Sequence, residues 1–273
     1  MTDRYAVIGN PIGHSKSPLI HGAFAQATGQ DIQYTAIEGP LDGFRATVEA
    51  FIAQGGKGMN VTIPFKLQAF EIATDPMESA RLAGAVNALK FEGGRIYAQN
   101  FDGLGLVNDI QRNLGVSLAG KRVLICGAGG ATRGAILPIA AQQPAVIAIA
   151  NRTAAKAHGL KADFAAHTTL QTGGYDELAG ETFDVVLNAT STGLSKDALP
   201  LPAGVFAPGA LAYDLVYGKG LTTFLQQAQA AGVTQLADGV GMLVEQAAEA
   251  FEWWRGVRPN TQPVIARFTI PLV

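Results

Sequence analysis

The chain has 273 residues, 48% of them apolar and 15% charged, with 20 Lys plus Arg against 22 Asp plus Glu. This balance excludes a disordered polyelectrolyte, and the net charge of -2 leaves no basic field with which to hold a nucleic-acid backbone. A single cysteine, Cys126, excludes an internal disulfide and a thiolate metal cluster, while His14, His21, His158 and His167 show no ligand spacing, so no metal is expected.

Short apolar strands alternate with helical patterns from the start. "YAVIG" reads as a strand, and "SPLIHGAFAQATG" as a helix with Ser17 as its cap, Pro18 in the first turn and Gly29 at its end. Ile20, Phe24 and Ala27 are expected on its inner face. "QYTAI" is the next strand and "PLDGFRATVEAFIAQGG" the next helix. "GMNVTI" then runs as a strand to Ile63, where Pro64 stops the ladder and Lys66 opens a helix. A lysine is costly to bury unpaired, so Lys66 belongs either on a solvated helix or in a cleft.

A second series begins at "GKRVLICGAGGATRGAILPIAAQ", a strand, a glycine turn and a helix that Pro138 is expected to bend or shorten. Cys126 ends that strand and reads as core. "AVIAIANRT", "FDVVLN" and "ALAYDLVYG" follow as strands, and "DGVGMLVEQAAEAFEWW" as a glycine turn and long helix. The β-α-β rhythm gives an α/β class of two mostly parallel units, with a boundary near Asp102. No run reaches membrane-spanning length and no leader precedes the first strand, so a cytoplasmic protein without membrane partners is expected, as a monomer or a homodimer.

"CGAGGATRG" has the strand-turn-helix context of a phosphate-binding turn, although Thr132 stands where the strict pattern has its third glycine. The following strand ends at Asn151, Arg152 and Thr153 with Lys156 a turn later, and no acid is present to hold a ribose diol. That composition favours NADP over NAD. In the first unit Ser15, Ser17, Asn60, Thr62, Asn87 and Asp102 fall at strand ends, where ligand crevices of open α/β sheets form.

Taken together, "GNPIGHSKSPLIH", "NVTIPFK", "AGAVN", "GAGGATRG", "NRT" and "DGVGMLVEQAAEAF" resemble the shikimate dehydrogenases of the bacterial biosynthetic type, in order and over essentially the whole chain. The resemblance implies reversible reduction of 3-dehydroshikimate to shikimate by NADPH, in the route to aromatic amino acids. It implies a substrate domain of residues 1–102 plus 238–273 and a Rossmann-like NADP-binding domain of residues 103–237. Lys66 and Asp102 match the catalytic pair. Ser15, Ser17, Asn60, Thr62, Asn87, Tyr217 and Gln246 match substrate contacts. Gly127, Ala128, Gly129, Gly130 and Ala131 match the pyrophosphate loop, and Asn151, Arg152, Thr153 and Lys156 the adenosine-phosphate clamp. Leu215 and Gly239 match the nicotinamide side. Gln99, Phe101 and Ala88 depart from the family pattern, which has an acid and two threonines there. Either Phe101 crowds the pocket and weakens ring binding, or it turns into the core and leaves the pocket intact.

Overall fold

The computed structural model describes residues 2–190, 198–218 and 220–272. It divides into two units, Met1–Gly105 with Val244–Ala266, and Leu106–Leu243 with Arg267–Val273. The first break falls after Gly105, inside a helix, and residues 238–243 and 267–273 group with the second unit, not with the first as the resemblance implied.

The first unit contains β1 (Asp3–Gly9), α1 (Ser17–Thr28), β2 (Ile32–Glu38), α2 (Phe44–Ala53), β3 (Gly56–Val61), α3 (Lys66–Ile72), β4 (Asp75–Pro76), α4 (Glu78–Ala83), β5 (Ala88–Glu92) and β6 (Arg95–Gln99). Its strands are ordered β2-β1-β3-β5-β6-β4. β1 lies parallel to β2 and β3, whereas β5 runs antiparallel to both β3 and β6. The β5–β6 connection is a tight hairpin because Gly93 and Gly94 both adopt positive φ, 58° and 74°. β1 carries Tyr5 to Ile8 buried without a break, as a central strand covered on both faces does, and edge strand β2 is only partly buried, at intervals.

Local details correct three expectations. Lys16, not Ser17, is the N-cap of α1, and no side chain caps it. Ser17 is instead buried in the first turn, its backbone N–H donating to Ser15 Oγ at 3.3 Å. Ala27 is exposed, and the inner face of α1 is Ile20, His21, Phe24 and Ala25. β3 ends at Val61, so Thr62 and Ile63 belong to the loop that leads to Lys66. Gly29 ends α1 in the left-handed region, at φ 65°.

Helix α5 (Asp102–Asn108) carries the chain into the second unit and continues as a π-helical turn at Asp109–Asn113. There follow β7 (Arg122–Cys126), α6 (Gly130–Ala140), β8 (Val146–Ala150), α7 (Ala154–Asp163), β9 (Gln171–Gly173), β10 (Phe183–Asn188), β11 (Phe206–Asp214), α8 (Thr223–Ala230) and β12 (Gln235–Asp238). The sheet is parallel throughout, ordered β12-β11-β10-β7-β8-β9. This is the doubly wound order, reversing between β7 and β10, and folds of this order bind ligands beyond the carboxyl ends of the strands at that point. Cys126 is fully buried at that end, and burial pushes its thiol up, away from any nucleophilic role. Pro138 sits near the end of α6, which stops at Ala140. α9 (Val240–Arg255) and α10 (Gln262–Phe268) close the chain, with Ala247, Ala250 and Phe251 of α9 buried. No helix among the described residues is long and apolar enough to cross a membrane.

Candidate active site

In the first unit, pairing register brings the expected residues to one edge of the sheet. Ile8 pairs with Val61, so the loops leaving β1 and β3 emerge side by side, tied by the Asn10 N–H donating to the Ile63 carbonyl at 3.1 Å. β5 runs the opposite way, and its first residue, Ala88, pairs with both Asn60 and Gln99. Asn87 and the Asn100–Asp102 segment therefore reach the same edge. Gly9 is required there, since a Cβ would fall 2.5 Å from Thr62 Cγ2.

The side chains at this edge hold one another. Lys66 Nζ donates to Asp102 Oδ2 at 2.5 Å, and Asn87 Nδ2 donates to Asp102 Oδ1 at 2.8 Å. Asn87 Nδ2 also donates to Gln246 Oε1 at 3.2 Å, while Asn87 Oδ1 accepts from the Phe101 backbone N–H at 2.9 Å. Both amide hydrogens of Asn87 are thus committed, and its orientation follows. The Asp102 N–H is capped by Asn100 Oδ1 at 3.1 Å. Lys66 and Asp102 are mostly shielded, with 30% and 16% of their side chains exposed, and so remain open to a ligand on one side. Asn60 is buried, accepting at Oδ1 from the Tyr34 hydroxyl at 2.7 Å and donating from Nδ2 to the Asn87 carbonyl at 3.2 Å.

Tyr34, His21 and Asn100 escaped the sequence reading. Nothing in the local pattern marks Tyr34 or His21, whose partners Asn60 and Phe251 lie far along the chain, whereas Asn100, two residues before Asp102 at a helix start, carries the signal of an asparagine cap. His21 is fully buried among Phe24, Tyr34, Phe251 and Trp254, and burial lowers its pKa to about 3, so it is neutral.

Phe101 turns inward. It is 5% exposed and shares a buried cluster with Tyr5, Ala88, Ala250 and Trp254, with its ring edge-on to Trp253 at 5.7 Å. The small Ala88 and the large Phe101 occupy the same cluster, so the two departures are one exchange of volume. Gln99 accepts a hydrogen bond from the Ser79 hydroxyl.

In the second unit the turn after β7 is made by backbone. Gly127 has φ 110°, and a Cβ there would sit 3.1 Å from the Ala189 carbonyl oxygen. α6 starts at Gly130 with Gly129 as N-cap and no capping side chain, and a Cβ at Gly129 or Gly130 would meet open space. Ala128 and Ala131 complete this turn. Thr132 is buried and donates back to the Gly127 carbonyl at 2.9 Å, so the residue that breaks the strict pattern closes the loop instead. At the end of β8, Asn151 Nδ2 donates to the Thr153 carbonyl at 2.9 Å, and Arg152 and Lys156 are exposed. The stretch from Asn151 to Lys156 contains no carboxylate. An open glycine cradle followed by exposed cations fits a dinucleotide bearing an extra phosphate.

At the ends of β11 and β12, Gly239 is pressed against Leu215, where a Cβ would collide with the Leu215 carbonyl oxygen. Asp214 accepts from Val216 N–H at 3.1 Å and Asp238 from Gly218 N–H at 3.1 Å. These two carboxylates fix the loop that carries Leu215 and the 39% exposed Tyr217. Burial raises the pKa of both, with hydrogen bonds opposing the rise.

Three family models match in order: the shikimate dehydrogenase substrate binding domain at residues 7–89, shikimate / quinate 5-dehydrogenase at 109–195 and the shikimate 5'-dehydrogenase C-terminal domain at 239–267. A shikimate dehydrogenase (NADP(+)) of Nitrosospira multiformis is 56% identical over 97% of this chain and 96% of its own. The chain belongs to the shikimate dehydrogenase family. Among solved structures, an Ael1 enzyme from Pseudomonas putida is 58% identical with a TM-score of 0.96, covering 100% of both chains. The shikimate 5-dehydrogenase of Thermus thermophilus, in complex with NADP(H) and shikimate, is 29% identical with a TM-score of 0.86, over 98% of this chain and 100% of the other. The fold is therefore the two-domain α/β fold of this family.

Proposed function

We propose that the protein catalyses the reversible NADP-dependent reduction of 3-dehydroshikimate to shikimate, with the first unit binding substrate and the second binding cofactor. The observation that carries the reading is the Lys66–Asp102 pair locked by Asn87 in a chain of this family. Bound at the glycine turn, the nicotinamide cofactor supplies hydride. Lys66 gives a proton to the carbonyl oxygen of the ketone and takes one from the alcohol in the oxidative direction. Asp102 holds the ammonium by charge and hydrogen bond, and its carboxylate is itself fixed by Asn87, so the donor stands ready before substrate arrives. Ser15, Ser17, Asn60, Thr62 and Gln246 bind the ring substituents and carboxylate; Asn87, its amide hydrogens taken by Asp102 and Gln246, offers them only the free side of its oxygen, and Tyr217, a residue of the second unit, is a substrate contact by family match alone. The backbone of Gly127–Ala131 takes the pyrophosphate, and Asn151, Arg152, Thr153 and Lys156 take the adenosine 2′-phosphate. Leu215 and Gly239 flank the nicotinamide.

Formation of NADPH from NADP and shikimate, followed at the nicotinamide absorbance band, tests the reading. Robust turnover with NADP and little with NAD is expected. Turnover with NAD equal to that with NADP would remove the cofactor assignment, and binding of shikimate without turnover would favour a metabolite sensor.

A further inference from the structure

We propose that Tyr34 is a positioning residue of the substrate site, its hydroxyl holding in place the oxygen end of the Asn60 amide that receives the ring. This rests on reading the first unit as the shikimate-binding unit. The Tyr34 hydroxyl lies 2.7 Å from Asn60 Oδ1, and Asn60 Nδ2 lies 3.2 Å from the Asn87 carbonyl oxygen. A carbonyl only accepts, so the Asn87 oxygen decides which end of the Asn60 amide faces it. With Oδ1 then turned to Tyr34, the phenol must donate, and one amide hydrogen of Asn60 remains for substrate. Burial raises the pKa of this phenol, and Ser17, a second candidate substrate residue, opposes the rise.

Tyr34 is itself held without being charged or neutralised. Its ring stacks on His21 at 4.2 Å and 6° between planes, and Trp254 lies 6.5 Å away. His21 is neutral, with Asn60 as its polar neighbour but no well-formed hydrogen bond at either ring nitrogen. Nothing there competes for the phenol hydrogen. Tyr34 consequently stands at the outer end of a line of contacts running through Asn60 and Asn87 to Asp102 and Lys66. It reaches that line from edge strand β2, across β1, which explains why no local motif betrays it.

Tyr34→Phe keeps the ring stack and removes only the hydroxyl. The expected result is a KM for shikimate about 3- to 10-fold higher, with kcat and the KM for NADP each within about 2-fold. In an Asn60→Ala background the same change should alter the KM by less than about 2-fold, because the group it positions is gone. A readout independent of turnover is NMR hydrogen exchange of the Asn60 side-chain amide in the substrate-free full chain. The amide proton bonded to the Asn87 carbonyl should be protected in the unsubstituted protein and exchange at least about 5-fold faster in Tyr34→Phe. An unprotected Asn60 amide in the unsubstituted protein, unchanged exchange in the variant, or an undiminished KM effect without Asn60 overturns the proposal. Should the unsubstituted protein fail to turn over shikimate, the functional reading falls while the exchange measurement still decides the positioning.

Discussion

In the first unit Lys66, Asp102, Asn87 and Gln246 are side chains bonded to side chains, whereas in the second the turn from Gly127 to Ala131 presents backbone and open space. Arg152, just past the end of the neighbouring strand β8, and Lys156, in the first turn of α7, are exposed. The difference follows from the two tasks. A proton must pass to one atom, so its donor has to be pinned in direction and distance. A pyrophosphate spreads its charge over several oxygens, and backbone amides at a helix start meet it without side-chain precision. One site is therefore vulnerable to losing atoms, and the other to gaining them.

Asp102→Asn should be the most damaging change among the neighbours of Lys66, because it removes the charge that holds the ammonium. Steady-state kinetics are expected to show kcat lower by about 10²- to 10³-fold, with the KM for NADP little altered. Phe101→Thr separates the core from the pocket. The side chain is buried beside Ala88, so the change should lower stability by about 2–3 kcal/mol in urea denaturation and leave the KM for shikimate within about 2-fold. A large KM effect at unchanged stability would return Phe101 to the pocket.

Gly129→Ala probes the opposite vulnerability. No protein atom lies within 4 Å of its Cβ position, so the unfolding midpoint should hold. The added methyl enters the cradle, and a loss of about 10-fold in NADPH affinity is expected from fluorescence titration. The smallest effect concerns His21, whose folded pKa of about 3 lies below the ordinary 6.5. Between those values the unfolded chain binds a proton that the folded chain refuses, so this histidine makes stability decline as pH falls from about 6.5 toward 3. His21→Phe should flatten that slope by at most about 1.4 kcal/mol per pH unit, seen by comparing urea midpoints at about pH 7 and about pH 5.

Much of this was legible in the residues. The α/β alternation, the glycine turn and the missing acid after β8 all depend on local pattern, and each is where the sequence placed it. What escaped depends on register and rotamers. Tyr34 meets Asn60 across an intervening strand; Asn100, by contrast, stands two residues before the start of α5 and was within reach of the helix-start rule. Ser17 looked like a cap because its neighbours are those of a helix start, but burial beside Ser15 and Tyr34 took it instead. The fate of Phe101 was open from sequence because it turns on Ala88, whose proximity only the pairing of β5 with β6 reveals.

Lys66→Ala gives the most direct measurement: kcat in both directions alongside the dissociation constant for NADPH. With a proton donor removed and the backbone cradle untouched, kcat is expected to fall by about 10²- to 10⁴-fold while NADPH affinity stays within about 2-fold. A kcat close to that of the unsubstituted protein, or equal losses in turnover and NADPH binding, would contradict the assignment of Lys66 as the group that moves the proton.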